Sequence, residues 1–209
     1  MTTIDIKRQD HYSRGELLLP TFFGLFYIMI PHGIVLMFVG IAALVVDFLA
    51  FWVILFTGRY PESWFEFRLN FARWNLRLNA SLFNLVDGYP KLGLKHQHDG
   101  VVLDVDYPTN ISKTSVALRF LFGYIYVMIP HGFILSVLLV AVLFANFIGW
   151  WAVLFTGEYP KSLFDFQVYY FRWSQRVGLY MAYLTNEYPP FHGAPDSEND
   201  SEHLDSEIK

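Results

Sequence analysis

The chain of 209 residues is 54% hydrophobic and 19% aromatic but only 16% charged, a balance that departs from soluble globular proteins and puts the bilayer class first. Its formal net charge of -4 comes from the end of the chain, where Asp196, Glu198, Asp200, Glu202, Asp205 and Glu207 follow Pro195; the rest is slightly basic, with Lys and Arg too sparse for a nucleic-acid interface. The absence of cysteine excludes disulfides, thiolate metal sites and a cysteine nucleophile.

The first sixteen residues are polar, and the apolar run that begins at Leu17 is too long for a signal-peptide core and lacks a small-x-small cleavage site, so it reads as a retained anchor. From Leu17 to Thr57 the only ionisable acid or base besides His32 is Asp47. As one helix this stretch would be about 60 Å long, twice the hydrocarbon thickness. Folding it into two crossings, with an apolar turn at 38–42, places all fifteen Lys and Arg of the chain on one side of the membrane, as the positive-inside bias favours. A single crossing per run would split them almost evenly. The expectation is therefore a transmembrane helical hairpin.

Thr57-Gly58 supplies a C-terminal cap and Pro61 suits the first turn of a new helix. Beyond it Glu62, Glu66, Asn70, Arg73, Arg77, Ser81 and Asn84 recur every three or four residues as one polar stripe beside Phe67, Phe71, Trp74 and Leu78. This is an amphipathic helix suited to the membrane interface, with rings at headgroup level and guanidinium groups toward phosphate. Residues 94–115 read as a surface linker in which Val101-Val102-Leu103-Asp104-Val105-Asp106 has a short strand pattern. His96 and His98 lie two apart in it, without the further ligands a metal site needs.

From 116 on the sequence repeats. A shift of 99 positions superposes the halves without a gap: Pro31-His32-Gly33 falls on Pro130-His131-Gly132, Thr57-Gly58 on Thr156-Gly157, Arg73-Trp74 and Arg77 on Arg172-Trp173 and Arg176, and Tyr89-Pro90 on Tyr188-Pro189. A second hairpin with its turn at 137–142 and a second amphipathic helix follow. The fold class is an all-α integral membrane protein of two tandem repeats: an N-terminal cytoplasmic segment 1–16, repeat 17–93, linker 94–115, repeat 116–192, and an acidic tail 193–209 too poor in apolar residues to order itself. Both termini are expected in the cytoplasm.

His32 and His131 are paired ionisable groups inside apolar runs and so are functional candidates, as one haem site or a proton relay. The competing reading is local: each follows a proline that breaks the helical hydrogen bonding, and the imidazole serves the freed backbone. The equivalent of Asp47 in the repeat is Asn146, which favours a polar contact between helices over a cation site. No phosphate loop, nucleophile elbow or paired catalytic carboxylates appear. The residues placed to bind lipid or a partner are Arg73, Arg77, Arg172, Arg176, Trp74 and Trp173; no catalytic residue, metal or cofactor is assigned.

The segments F-T-G-x-Y-P (56–61 and 155–160), R-W-x-x-R (73–77 and 172–176), Y-P-P-F (188–191) and V-L-D-V-D-Y-P (102–108), with the Pro-His pair upstream of each F-T-G-x-Y-P, resemble a prokaryotic membrane family, domain of unknown function 4389. The likeness covers nearly all of 17–191. The first copy departs from it where Tyr89-Pro90-Lys91-Leu92 replaces the Y-P-P-F ending. The resemblance implies a location in the prokaryotic inner membrane and a tandem arrangement, with no activity to carry over. The expected function is a non-enzymatic membrane scaffold or accessory subunit that contacts lipid, other membrane subunits or its own copies. The alternatives are a small transporter with its site at the two Pro-His-Gly kinks and a haem-binding electron-transfer subunit.

Overall fold

The computed structural model describes residues 2–96 and 98–195; the acidic tail from 196 on lies outside the described residues. Four long helices and one two-stranded sheet carry the fold. In chain order they are strand β1 (Thr2–Ile6), helix α1 (Arg14–Thr57), helix α2 (Glu62–Leu82), strand β2 (Val101–Val105), helix α3 (Lys113–Thr156) and helix α4 (Lys161–Met181).

Helices α1 and α3 start at serine caps, where Ser13 Oγ accepts from Glu16 N–H and Ser112 Oγ from Ser115 N–H. Both end at left-handed glycines, Gly58 at φ 73° and Gly157 at φ 79°, as the Thr-Gly pairs indicated. Each is 44 residues long and apolar enough to cross a membrane. Between these caps neither helix turns. The hairpins expected at 38–42 and 137–142 are absent, and helix runs unbroken through both segments. Gly40 is the one turn-favouring residue in the first segment and the second has none, with no proline or hydroxyl in either to stop the helix, so backbone hydrogen bonding simply propagates. The irregularity sits earlier. Leu25–Met29 and Tyr124–Met128 form π-helical turns, with Ile30 N–H bonded to Leu25 O and Ile129 N–H to Tyr124 O. They adjoin Pro31 and Pro130, whose rings would clash with a carbonyl in a regular α-helix.

The repeat extends further upstream than the helices. β1 falls on β2 under the same shift of 99, and the two strands pair with each other, antiparallel, with Ile4 opposite Leu103 and Thr2 opposite Val105. This register maps onto itself when the copies are exchanged, so a pseudo-two-fold axis passes through the Ile4–Leu103 pair. β1, expected to be part of a plain polar segment, is therefore the first element of a strand–helix–helix unit. The axis also joins the long helices end to end, in opposite directions. Arg14 Nη2 donates to Phe155 O (3.1 Å) and Lys113 Nζ to Phe56 O (2.7 Å). Tyr12 N–H donates to Gly157 O (2.8 Å) and Ile111 N–H to Gly58 O (2.9 Å). One turn inward, Trp150 Nε1 donates to Thr21 Oγ1 (2.9 Å), while Phe51 stacks on Phe120.

The core lies between the sheet, α2, α4 and these helix ends, where Ile4, Leu103, Phe65, Leu69, Phe164 and Tyr159 are buried. Gly149 on α3 leaves room for the buried Tyr159 ring, since a Cβ there would run into it. The equivalent position is Ala50, itself buried. Gly149→Ala is expected to cost about 1–3 kcal/mol by overpacking, read as a lowered melting temperature in mild detergent, whereas Ala50→Gly should cost no more than about 1 kcal/mol.

Buried phenols set an alkaline limit. Burial pushes Tyr12 from 10.0 up to about 12, against a smaller pull from the Gln9 N–H; burial likewise takes Tyr183 up to about 12, and Tyr60 and Tyr159 higher still. The fold favours these groups protonated, so their contribution is whole below pH 10 and is lost as pH rises through about 12. Melting curves in detergent across that window should show a steep fall in stability, and Tyr12→Phe should shift its onset upward.

Candidate functional site

Each R-W-x-x-R segment is a set of three inward clamps. Consecutive helical positions diverge by about 100°, so Arg73 and Trp74 leave α2 in different directions, and Arg77 lies one turn beyond Arg73. Arg73 donates through Nε to Leu103 O (2.8 Å) and through Nη2 to Asp104 (2.7 Å), with Nη1 on Glu66 and Asn70. Arg172 on α4 donates through Nε to Ile4 O (2.8 Å), through Nη2 to Asp5 (3.0 Å) and through Nη1 to Gly193 O (3.0 Å). By the shift of 99, each arginine holds the strand of the other copy. Arg77 donates to Gly93 O (2.8 Å), and Arg176 to His192 O (3.1 Å) and Ala194 O (2.6 Å), fixing the chain after each Tyr-Pro. Burial, with Arg73 beside it, pulls the Arg77 pKa below its usual value.

The tryptophans go to the histidines. Trp74 Nε1 donates to His32 Nδ1 (3.0 Å) and Trp173 Nε1 to His131 Nδ1 (2.9 Å), all four residues being 0–2% exposed. With Nδ1 accepting, a neutral imidazole carries its proton on Nε2. In the second copy Nε2 meets Tyr188 Oη (3.1 Å), and that hydroxyl donates to the Tyr126 carbonyl (3.0 Å). Tyr126 lies four residues before Pro130, so its carbonyl is the one a proline nitrogen cannot serve. The tyrosine, oriented by the histidine, takes that part; the imidazole does not reach the backbone itself, as the local reading had expected. Phe191 stacks on His131 at 3.9 Å between centroids, and burial pushes the Tyr188 phenol up.

The first copy is simpler. Tyr89 stacks on Tyr27 and lies 5.5 Å from the His32 ring, and Nε2 of His32 is buried without a hydrogen-bond partner among the described residues. Leu92 stands where the second copy has Phe191. An iron at His131 would have to displace Tyr188 from Nε2.

Six side chains expected at lipid headgroups are thus directed inward: Trp74, Trp173, Arg77, Arg172 and Arg176 are all below 9% exposed, and Arg73 is largely covered. The periodicity identified the helix, but the C-terminal part of its polar stripe, Arg77 and Ser81, is buried, and the arginines pack against backbone carbonyls instead of water. Asp47 pairs with Arg68 at 2.6 Å, the polar contact between helices that its neutral counterpart implied. The second copy keeps neutrality, with Asn146 for Asp47 and, for Arg68, a buried Gln167 that donates to the Tyr159 hydroxyl. His98 shapes a turn, accepting from Gly100 N–H (3.1 Å).

Arg119 escaped the sequence reading. It falls where the first copy has Pro20, is 2% exposed, and donates to Tyr180 O (2.7 Å), Thr185 O (2.8 Å) and Ser115 Oγ (2.9 Å) with its guanidinium 3.9 Å above the Tyr180 ring. It caps the Tyr180 carbonyl in the last turn of α4 and ties down the Thr185 carbonyl just beyond it. A lone cation at the edge of an uncharged run was the available signal.

A family model described as domain of unknown function DUF4389 matches residues 20–92 and again 114–192. No curated protein and no solved structure matches the chain.

Proposed function

The chain belongs to the DUF4389 family, as two tandem copies, and on that footing we propose that it is a non-enzymatic integral membrane scaffold or accessory subunit. One contrast carries the reading. The arginines and tryptophans of both R-W-x-x-R motifs, and the His131–Tyr188 pair of the second copy, are engaged by one another, by neighbouring side chains and by backbone carbonyls, whereas the long helices leave their apolar flanks uncovered: only 17% of the most hydropathic window of each is buried. Chemistry needs free reactive groups in a cleft; packing against lipid or membrane subunits needs extended apolar faces on a rigid frame. The proposed setting is a prokaryotic inner membrane, with both termini on the cytoplasmic side.

Fractionation followed by purification in mild detergent tests this. The protein should sediment with membranes, leave them only with detergent, and co-purify with another membrane polypeptide or with itself. A folded protein in the detergent-free supernatant, or a homogeneous monomer without any companion, would overturn the proposal.

A further inference from the structure

We propose that both copies enter the bilayer from one side, each long helix dipping in as a bow whose two ends stay on the same aqueous face, so that the chain never reaches the opposite surface. The occupant of the exposed apolar face is then the acyl region of a bilayer, and the inference rests on the membrane reading above.

Three observations lead here. The first is a mismatch of lengths. α2 and its short flanks connect the two ends of α1: at one end residues 58–61 run directly from α1 into α2, and at the other Leu85 O accepts from the Tyr12 hydroxyl (3.3 Å) and Asp87 from Ser13 N–H (2.7 Å). The 44 residues of α1 trace about 66 Å, but the 21 residues of α2 only about 32 Å. The flank beyond α2 folds back, Leu85 N–H bonding Ala80 O, and adds little reach. Arg68, Phe71 and Trp74, within two turns of α2, meet Asp47, Gly40 and His32, spread over about four turns of α1. α1 therefore bows between tied ends, and the π-turn before Pro31 is where a helix bends most readily.

The second is the position of charge. Arg73 and Arg172 bring Asp104 and Asp5 to the pseudo-two-fold axis, midway between the helix ends, with carboxyl side chains 66% and 49% exposed. Were α1 and α3 upright and antiparallel across the bilayer, these carboxylates would lie at its mid-depth facing lipid, where charge is least tolerated. Third, rotation about an axis preserves height along it. The axis of an antiparallel strand pair runs perpendicular to the sheet, so both bows lie at one level and the sheet, with its outward Asp5 and Asp104, at another. Such a molecule has one greasy side and one charged side.

The cysteine-free chain makes the test direct. Single Arg59→Cys and Glu158→Cys variants of the full chain, both at exposed positions and at opposite ends of the helix pair, are treated with a membrane-impermeant maleimide in inverted and in right-side-out vesicles. Both should react at least tenfold faster in inverted vesicles, and Met37→Cys, on the exposed flank of α1, should resist labelling in either until detergent is added. Labelling of Arg59→Cys and Glu158→Cys from opposite sides, or of Met37→Cys from the outer face, overturns the one-sided bow. An oxidant-induced dimer through Met37→Cys in the membrane would give the face to a second copy and overturn it as well. These outcomes leave the scaffold proposal standing, whereas recovery of the protein in the supernatant removes both.

Discussion

Trp173→Ala is expected to lower stability by about 3–5 kcal/mol, the range for truncating a buried tryptophan. Beyond lost packing, the change strands His131 Nδ1 without its 2.9 Å donor and frees the ring that positions Tyr188 on the Tyr126 carbonyl. Trp173→Phe separates the two contributions: it keeps most of the volume and removes the N–H, for a loss of about 1–3 kcal/mol. A cycle with His131→Ala should show strong coupling, because each change removes the other's partner. Trp74→Ala should have a similar packing cost but weaker coupling to its tyrosine, since Tyr89 only stacks near His32. Thermal unfolding in mild detergent followed by circular dichroism measures all of these; additive costs at Trp173 and His131 would contradict the hydrogen-bonded chain from Trp173 through His131 to Tyr188.

Arg119→Ala should cost about 3 kcal/mol or more, because it leaves the Tyr180 and Thr185 carbonyls unpaired in the interior and opens a cavity beneath the Tyr180 ring. Arg119→Lys should recover less than half of that loss. An ammonium can reach one carbonyl but cannot span two and lie flat on the ring as a guanidinium does. Proteolysis should also shift, with cleavage after Met181 accelerated as the end of α4 frays.

What the sequence made legible is what repeats or has a short period. The 99-residue shift identified two copies because identical residues met without a gap, and the spacing of Glu62, Glu66, Asn70, Arg73 and Arg77 identified α2 as a helix, although Arg77 and Ser81 of that stripe are buried. The Thr-Gly pairs marked where α1 and α3 stop. The hairpins failed because length and the one-sided placement of Lys and Arg suggested them without any turn chemistry: 38–42 holds no turn residue besides Gly40 and 137–142 holds none, and a long helix can shorten its span by bowing as well as by reversing. β1 went unseen because Thr2-Thr3-Ile4-Asp5-Ile6 pairs with a strand a hundred residues away; carrying the shift back past Leu17 to set Ile4 on Leu103 and Asp5 on Asp104 would have found it. The orientation of the arginines was illegible for another reason. An amphipathic period says which side is polar, but backbone carbonyls satisfy a guanidinium as well as phosphate or water does, and only the fold decides which is nearer.

The exchange of strands has a consequence for how the molecule comes off the ribosome. β1 is made well before its partner: Val105, opposite Thr2, follows about a hundred residues later, and the Arg172 side chain that grips Asp5 later still. Through most of synthesis β1 has nothing to grip, and the closing step brings together regions made far apart in time, which loop-closure entropy makes slow. A ribosome stalled midway would thus carry a greasy half without its lock, a natural substrate for quality-control proteases, and a severed connector between the halves would not by itself let them drift apart.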